Sequence, residues 1–208
     1  KKKILNFDTT LRDPERIQNY LKILKNYENQ ILDYDTIIDF FITIISQKLY
    51  IPQALYKKYP EFRFKDILSR QEAELIMEEF PQKHGAGGWK AKNEGWGGRF
   101  YQSFSTSNQL GFIHTEKGEK IIFSESGERL VTLNDEERGK IYGIFVNALA
   151  KFNSNNPKNA NLLTQNTLPL FLKLIKIFRE NNMYFERREI PIILVWDNND
   201  ANALFEII

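Results

Sequence analysis

The part of this 208-residue chain that says most about its fold is residues 99–133, which read RFYQSFSTSNQLGFIHTEKGEKIIFSESGERLVTL. Phe100 and Phe104 are spaced for one face of a helix, so the segment before Leu110 is expected to be helical. Two short apolar runs then flank a turn that contains Gly118, which predicts a β-hairpin. A short amphipathic stretch follows. The expected order is therefore helix, hairpin, helix.

Toward the N-terminus, the sequence pattern is helical. Asp13-Pro14 is an N-cap followed by proline at the first helical position, so a helix is expected to begin there. Residues 35–49 are apolar nearly all round, which predicts a helix buried on most sides. Ser69 and Glu72 have the spacing of a capping box and predict a third helix, which Pro81 ends.

The last third of the chain returns to helix after a polar break. Asn134 and Glu137 predict a further helix N-terminus. A helix at about 168–180 is expected to turn Phe171, Leu174, Ile175 and Phe178 inward. We expect the chain to be part of a longer protein, because it begins without Met and ends in an unfinished amphipathic run.

The pattern predicts a mostly helical α+β protein in three parts. Residues 1–151 hold the N-terminal helices and a first winged-helix-like unit, in which a helical bundle carries a β-hairpin wing. Residues 152–166 are Asn- and Lys-rich and are interpreted as a polar linker. Residues 167–208 are expected to form a second, truncated winged-helix-like unit.

Composition excludes several classes of protein. The absence of Cys excludes a disulfide framework, a thiol nucleophile and a thiolate zinc site, and the two His lack metal-ligand spacing, so no metal site is expected. No apolar run of about 18 residues and no signal peptide occur, so a cytoplasmic protein is expected. No D-x-K or E-x-K triplet occurs either, so we expect no catalytic residues in this chain.

A helix followed by a hairpin is typical of a winged helix-turn-helix, whose second helix enters the major groove of DNA. Arg, Gln, Ser and Thr can bond base edges, and Lys attracts phosphates. The net charge is only +2, but residues 81–102 carry four basic residues against Glu94 alone. We therefore predict base contacts from Arg99, Gln102, Ser103 and Thr106. We predict backbone contacts from Lys90, Lys92, Asn93, Lys117 and Lys120, and a stacking role for Trp96, whose ordinary alternative is a place in the core.

Seven segments carry a further signal, in order along the chain. They are FDTTLRDPERIQNYLKILKNYENQI (7–31), FPQKHGAGG (80–88), GWGGRF (95–100), LGFIHTEKGEKIIFSESGERL (110–130), FVNALAKFNSNNP (145–157), LPLFLKLIK (168–176) and EIPIILVWDNNDANALFEII (189–208). Together they resemble the AlwI family of type II restriction endonucleases.

The resemblance implies a bacterial type IIS enzyme. An N-terminal region would read a short asymmetric site in double-stranded DNA, and a C-terminal nuclease domain of the same polypeptide would cut nearby using Mg²⁺. This chain matches the N-terminal region, and transient dimerisation for cleavage is a further implied interaction. No family catalytic or contact residue is carried over. Two other classes stay open: a non-catalytic winged-helix regulator of DNA, and a helical protein-interaction module.

Overall fold

The computed structural model describes residues 13–52, 54–80, 94–151, 167–184 and 200–207, with the single positions 186, 189 and 192. The described residues through Ile141 form one compact unit, and those from Tyr142 onward form another. The described structure is mostly helical with a small antiparallel sheet, which confirms the α+β expectation. The predicted linker at 152–166 lies outside the described residues.

The described elements are the following, in chain order. The helices are α1 (Pro14–Leu24), α2 (Tyr34–Ser46), α3 (Leu55–Lys58), α4 (Arg70–Glu79), α5 (Glu94–Gln109), α6 (Glu125–Thr132), α7 (Arg138–Lys151), α8 (Thr167–Glu180) and α9 (Ala201–Phe205). The strands are β1 (Ile113–His114) and β2 (Ile122–Phe123). Short 3₁₀ turns occupy Lys25–Tyr27, Pro60–Phe64 and Asp135–Glu137. None of the described helices is long and apolar enough to cross a membrane.

The helix starts predicted in the N-terminal half are confirmed. The side chain of Asp13 caps α1 by accepting a hydrogen bond from the backbone N–H of Glu15. The predicted second helix begins at Tyr34 and ends at Ser46, three residues short of Leu49. Lys48, just after it, takes a left-handed φ of 56°. The capping box of α4 is complete, since Ser69 and Glu72 each accept from the other's backbone N–H.

Ser69→Ala is expected to lower the free energy of unfolding by about 1 kcal/mol, because the N–H of Glu72 loses its capping oxygen. Chemical denaturation followed by circular dichroism measures this loss. Ser105→Ala, inside α5, is the matched control and is expected to stay within about 0.5 kcal/mol of the parent. Equal losses in the two variants would contradict the assignment of Ser69 as a cap.

An aromatic cluster forms the centre of the first unit. Phe40 of α2 is fully buried, and five neighbouring rings surround it at centroid distances of 5.3 to 6.2 Å: Tyr20, Tyr27, Phe41, Phe100 and Phe104. These rings come from α1, the turn after it, α2 and α5. The cluster therefore holds three sequence-distant helices together by burying their large apolar side chains.

The predicted hairpin is confirmed, and the structure adds a third segment to it. β1 pairs with β2 in antiparallel register, with Ile113 opposite Phe123. The chain between α1 and α2 lies on the other side of β2, where Ile31 forms a bridge with Lys120. Backbone hydrogen bonds from Asn29 to Ile121 (2.9 Å) and from Ile121 to Gln30 (3.0 Å) extend this pairing. The sequence pattern had not indicated it.

Helix α5 begins five residues before the predicted start at Arg99. The glycine pair Gly97-Gly98 lies inside the helix, although such a pair is poor helix material on propensity alone. Tertiary packing explains the difference, because Trp96 of the added turn is fully buried and packs against Phe41 at a centroid distance of 4.9 Å.

The described part of the second unit centres on α8 and α9. Leu170, Leu174 and Phe178 of α8 pack with Ala201 and Leu204 of α9 in one buried cluster. The prediction that Leu174 and Phe178 point inward is confirmed. The prediction for Ile175 is wrong, since its side chain is 40% exposed. Ile175 follows Leu174 directly in α8 and lies outside the row of side chains that packs against α9.

Candidate nucleic-acid interface

The hairpin presents one face inward and one face outward. Directly paired residues in a sheet lie on the same face, and successive residues alternate between faces. The outward face carries Ile31 and Lys120 as one pair and His114 and Ile122 as the next. Ile31 and Ile122 are 48% and 50% exposed, while Ile121 between the pairs is fully buried. The outer face of this hairpin is therefore partly apolar and carries a lysine.

The base of the hairpin is fixed to the start of α6. The backbone N–H and the hydroxyl of Ser124 both donate to the carbonyl oxygen of Phe112, at 3.0 and 3.1 Å. The same hydroxyl accepts from the N–H of Gly127 and caps α6. Because these bonds join both strand ends to one helix, the hairpin is held in a defined direction.

Asn108 connects the hairpin to α5. Its side-chain amide donates to the hydroxyl of Thr115 at 2.7 Å, and its carbonyl oxygen accepts from the backbone N–H of Thr115 at 3.0 Å. Thr115 itself is buried, and it follows β1 directly. This two-way amide link places the hairpin at the C-terminal end of α5, and nothing in the sequence pattern had singled it out.

A lysine near the base of the hairpin is neutralised within the fold. The ammonium group of Lys25 pairs with Glu28 and Glu128 and lies 5.0 Å from the ring centroid of Phe123. The hydrogen bond from Lys25 lowers the pKa of the Glu28 carboxyl below its usual value. Lys25 therefore adds little positive charge for an external anion.

The residues predicted to contact phosphates fall into two groups. Lys117 is exposed in the turn of the hairpin, and Lys120 is exposed two residues before its second strand. Among the described residues, no carboxylate forms an ion pair with Lys120. Lys90, Lys92 and Asn93 lie outside the described residues.

The residues of α5 that were predicted to read bases do not form an exposed face. Ser103 is 2% exposed and Thr106 is 9% exposed, and Trp96 is fully buried in the core. Every residue from 95 to 110 is buried or half-buried, so no residue along this length is fully exposed. The four-residue spacing of Phe100 and Phe104 marks the apolar stripe correctly, but it carries no information about what covers the opposite side.

Arg99 and Gln102 are half-buried and keep some access to solvent. The guanidinium of Arg99 donates to the hydroxyl of Tyr50 at 3.0 Å and lies 5.0 Å from the Tyr50 ring centroid. This hydrogen bond occupies one nitrogen of the guanidinium, and the base contact predicted for Arg99 stays a prediction. Tyr50 is its partner because the chain after α2 passes beside α5, which the sequence pattern had not indicated.

Among the described residues, His114, Glu116 and Glu119 bring three possible metal ligands together, with their ligand atoms within 4.8 Å of one another. Nε2 of His114 lies 2.8 Å from Oε2 of Glu119, so these two groups satisfy each other directly. A magnesium-dependent nuclease site needs paired carboxylates with a nearby lysine-activated water. A half-buried histidine and two glutamates on a hairpin do not fit that requirement, and no catalytic step is assigned to them.

Comparison of the chain with protein-family models, with curated proteins and with solved structures finds no match in any of the three. The functional assignment therefore depends on the residues and geometry described above.

Proposed function

We propose that the unit ending at Ile141 is a winged-helix domain that binds double-stranded DNA. The observation that supports this most directly is the pairing of residues 29–32 with the second hairpin strand. It yields the order helix α1, short strand, helix α2, helix α5, hairpin, with α3 and α4 inserted before α5. That order, with the first strand paired to the hairpin, is typical of winged-helix domains.

The surface properties of the hairpin support DNA as its ligand. A wing lies along the DNA backbone, where positive charge supplies most of the affinity. Lys117 and Lys120 are exposed on this hairpin, and Lys120 has no carboxylate partner among the described residues. We assign both lysines to phosphate contacts, and we keep Gln102 as the base-reading candidate on α5.

The larger protein that we propose is a type IIS restriction endonuclease acting on cytoplasmic DNA. The similarity of segments throughout the chain to the AlwI family supports it. In this proposal the Mg²⁺-dependent nuclease domain belongs to the same polypeptide, and two molecules associate transiently for cleavage. The residues of this chain supply recognition and no part of the hydrolysis.

Binding of the chain to a randomised duplex library at near-physiological salt, followed by sequencing of the retained DNA, tests the proposal. Enrichment of one short asymmetric site supports the type IIS assignment. A palindromic site would indicate a dimeric regulator instead. Absence of any enrichment would contradict sequence-specific recognition by this chain.

Lys120→Gln is expected to weaken binding to all duplexes by a similar factor, since phosphate contacts carry no sequence information. The slope of log K against log salt should decrease in magnitude by about 0.9, the value for one phosphate contact. Fluorescence anisotropy at several salt concentrations measures both quantities. Lys57→Gln, an exposed lysine of α3, is the control and should leave the slope unchanged. An unchanged slope in the Lys120 variant would remove the hairpin from the interface.

A protein-interaction module is the second candidate, and one observation favours it. Phe64 and Ile67, in the segment between α3 and α4, are 88% and 69% exposed. Large apolar side chains grouped on a surface are typical of contacts with other proteins. DNA binding that is sequence-independent and disappears at about 0.1–0.2 M salt would favour this candidate.

A further inference from the structure

Two arginines from different helices contact neighbouring residues of the segment after α2. Arg99 of α5 donates to the Tyr50 hydroxyl at 3.0 Å. Arg16 of α1 donates to the backbone oxygen of Leu49, the neighbour of Tyr50, at 3.4 Å and lies 5.8 Å from the Tyr20 ring centroid. The two guanidinium groups therefore both contact the Leu49–Tyr50 segment after α2.

The buried phenol of Tyr20 lies within electrostatic reach of both arginines. Tyr20 is 1% exposed, and burial raises the pKa of its hydroxyl above the ordinary value, while the positive charges of Arg16 and Arg99 act in the opposite direction. Among the described residues, no carboxylate forms an ion pair with either arginine. The group formed by Arg16, Tyr20, Tyr50 and Arg99, the arginine–tyrosine cluster, therefore carries two positive charges that are not neutralised by the described residues.

The cluster also holds buried donors that lack acceptors. Nε of Arg99 is buried without a hydrogen-bond partner among the described residues, and so is the indole Nε1 of Trp96. Trp96 lies one helical turn before Arg99 and packs edge-on against Tyr50 at a centroid distance of 6.1 Å. Buried N–H groups are almost always paired, because leaving one unsatisfied costs about 1–3 kcal/mol. An anionic acceptor would satisfy such donors, and the charge of the two arginines favours one.

We propose that the arginine–tyrosine cluster is a binding site for a phosphate-type oxyanion. Arginine forks match phosphate oxygens in a bidentate manner. The ligand is either a free phosphate group or a phosphodiester of a nucleic-acid backbone. The site goes beyond the proposed DNA-binding function, because a phosphate group alone, without the rest of a nucleic acid, is enough to occupy it.

Equilibrium dialysis of the full 208-residue chain against radiolabelled inorganic phosphate, at constant ionic strength in chloride, tests the site. Arg99→Gln and Arg16→Gln are each expected to weaken phosphate binding by about 10-fold, the effect of one charge-assisted hydrogen bond. Arg16 is exposed, so its variant keeps the test valid even where Arg99→Gln disturbs folding. Arg63→Gln is the matched control: Arg63 is exposed and also lies over a tyrosine ring, Tyr56, at 5.4 Å, and its loss should leave phosphate binding unchanged.

A second arm repeats the series with a labelled duplex and distinguishes the two sources of phosphate. Loss of duplex affinity in both arginine variants, with Arg63→Gln unaffected, assigns the cluster to a backbone phosphodiester. Phosphate binding that depends on both arginines, in a chain that does not bind duplex, supports the site for a free phosphate group and contradicts the proposed function alone. The proposal is overturned if neither inorganic phosphate nor duplex binding responds to Arg16→Gln or Arg99→Gln more than to Arg63→Gln.

Discussion

Phe40→Ala is expected to lower the free energy of unfolding of the first unit by about 3–5 kcal/mol, the usual cost of removing a buried phenylalanine. Phe40 is fully buried, and its ring lies within 5.5 Å of the ring centroids of Phe41, Phe100 and Phe104. Its removal leaves a cavity between α2 and α5 and weakens the attachment of α1 through Tyr20. Chemical denaturation monitored by circular dichroism and tryptophan fluorescence measures the loss.

Phe64→Ala is the matched control for this prediction. The Phe64 side chain is 88% exposed, so its truncation should change the free energy of unfolding by no more than about 0.5 kcal/mol. Equal effects of the two substitutions would show that the aromatic cluster does not form the core. The same pair of variants separates folding from binding, because Phe64→Ala would weaken only an interaction that uses the exposed apolar segment.

Gly127→Ala is expected to cost about 2–3 kcal/mol, although alanine is the better helix former. Gly127 is the third residue of α6, and a Cβ there would overlap the carbonyl oxygen of Phe112 and lie 3.0 Å from its carbonyl carbon. That oxygen accepts the two hydrogen bonds from Ser124 that fix the hairpin to α6. Since backbone cannot yield as a flexible side chain does, α6 must move away from the hairpin.

Gly139→Ala, in the same unit, is expected to have the opposite effect on the free energy of unfolding. Gly139 lies in the first turn of α7, and a Cβ there meets no atom within 4 Å, so the substitution should stabilise the helix by up to about 1 kcal/mol. Thermal unfolding of both variants measures the contrast. A stabilising effect of Gly127→Ala would contradict the close approach of α6 to Phe112. If that variant folds, weaker duplex binding is expected as well, because the hairpin direction depends on this contact.

Local chemistry was sufficient to predict the start of most helices in the first unit. The caps Asp13 and Ser69 each act within three residues of their own position, so their effect can be predicted without the rest of the chain. The hairpin was predictable for the same reason, since its two strands are joined by one short turn at Gly118. The apolar stripe of Phe100 and Phe104 was likewise correct.

The candidate site could be predicted only in part, because exposure depends on neighbours that are distant in sequence. The polarity of Ser103 and Thr106 suggested a solvent-facing side of α5, but both side chains are buried. Arg99 and Tyr50 are 49 residues apart, and no local pattern indicates that they share a hydrogen bond. The phosphate-contacting role of Lys117 and Lys120 stays a prediction, with their exposure on the hairpin now described.

The sequence by itself determined the helical character of the chain, its caps and its hairpin, because these depend on interactions over a few residues. Only the tertiary structure decided three other features: the pairing of residues 29–32 with the hairpin, the extension of α5 through Gly97-Gly98, and the contacts of Arg16 and Arg99 with the Leu49–Tyr50 segment. Each of them requires segments far apart in the chain to pack against one another. Burial of large side chains such as Trp96 and Phe40 drives that packing, and it outweighs the local preferences of glycine and of polar residues.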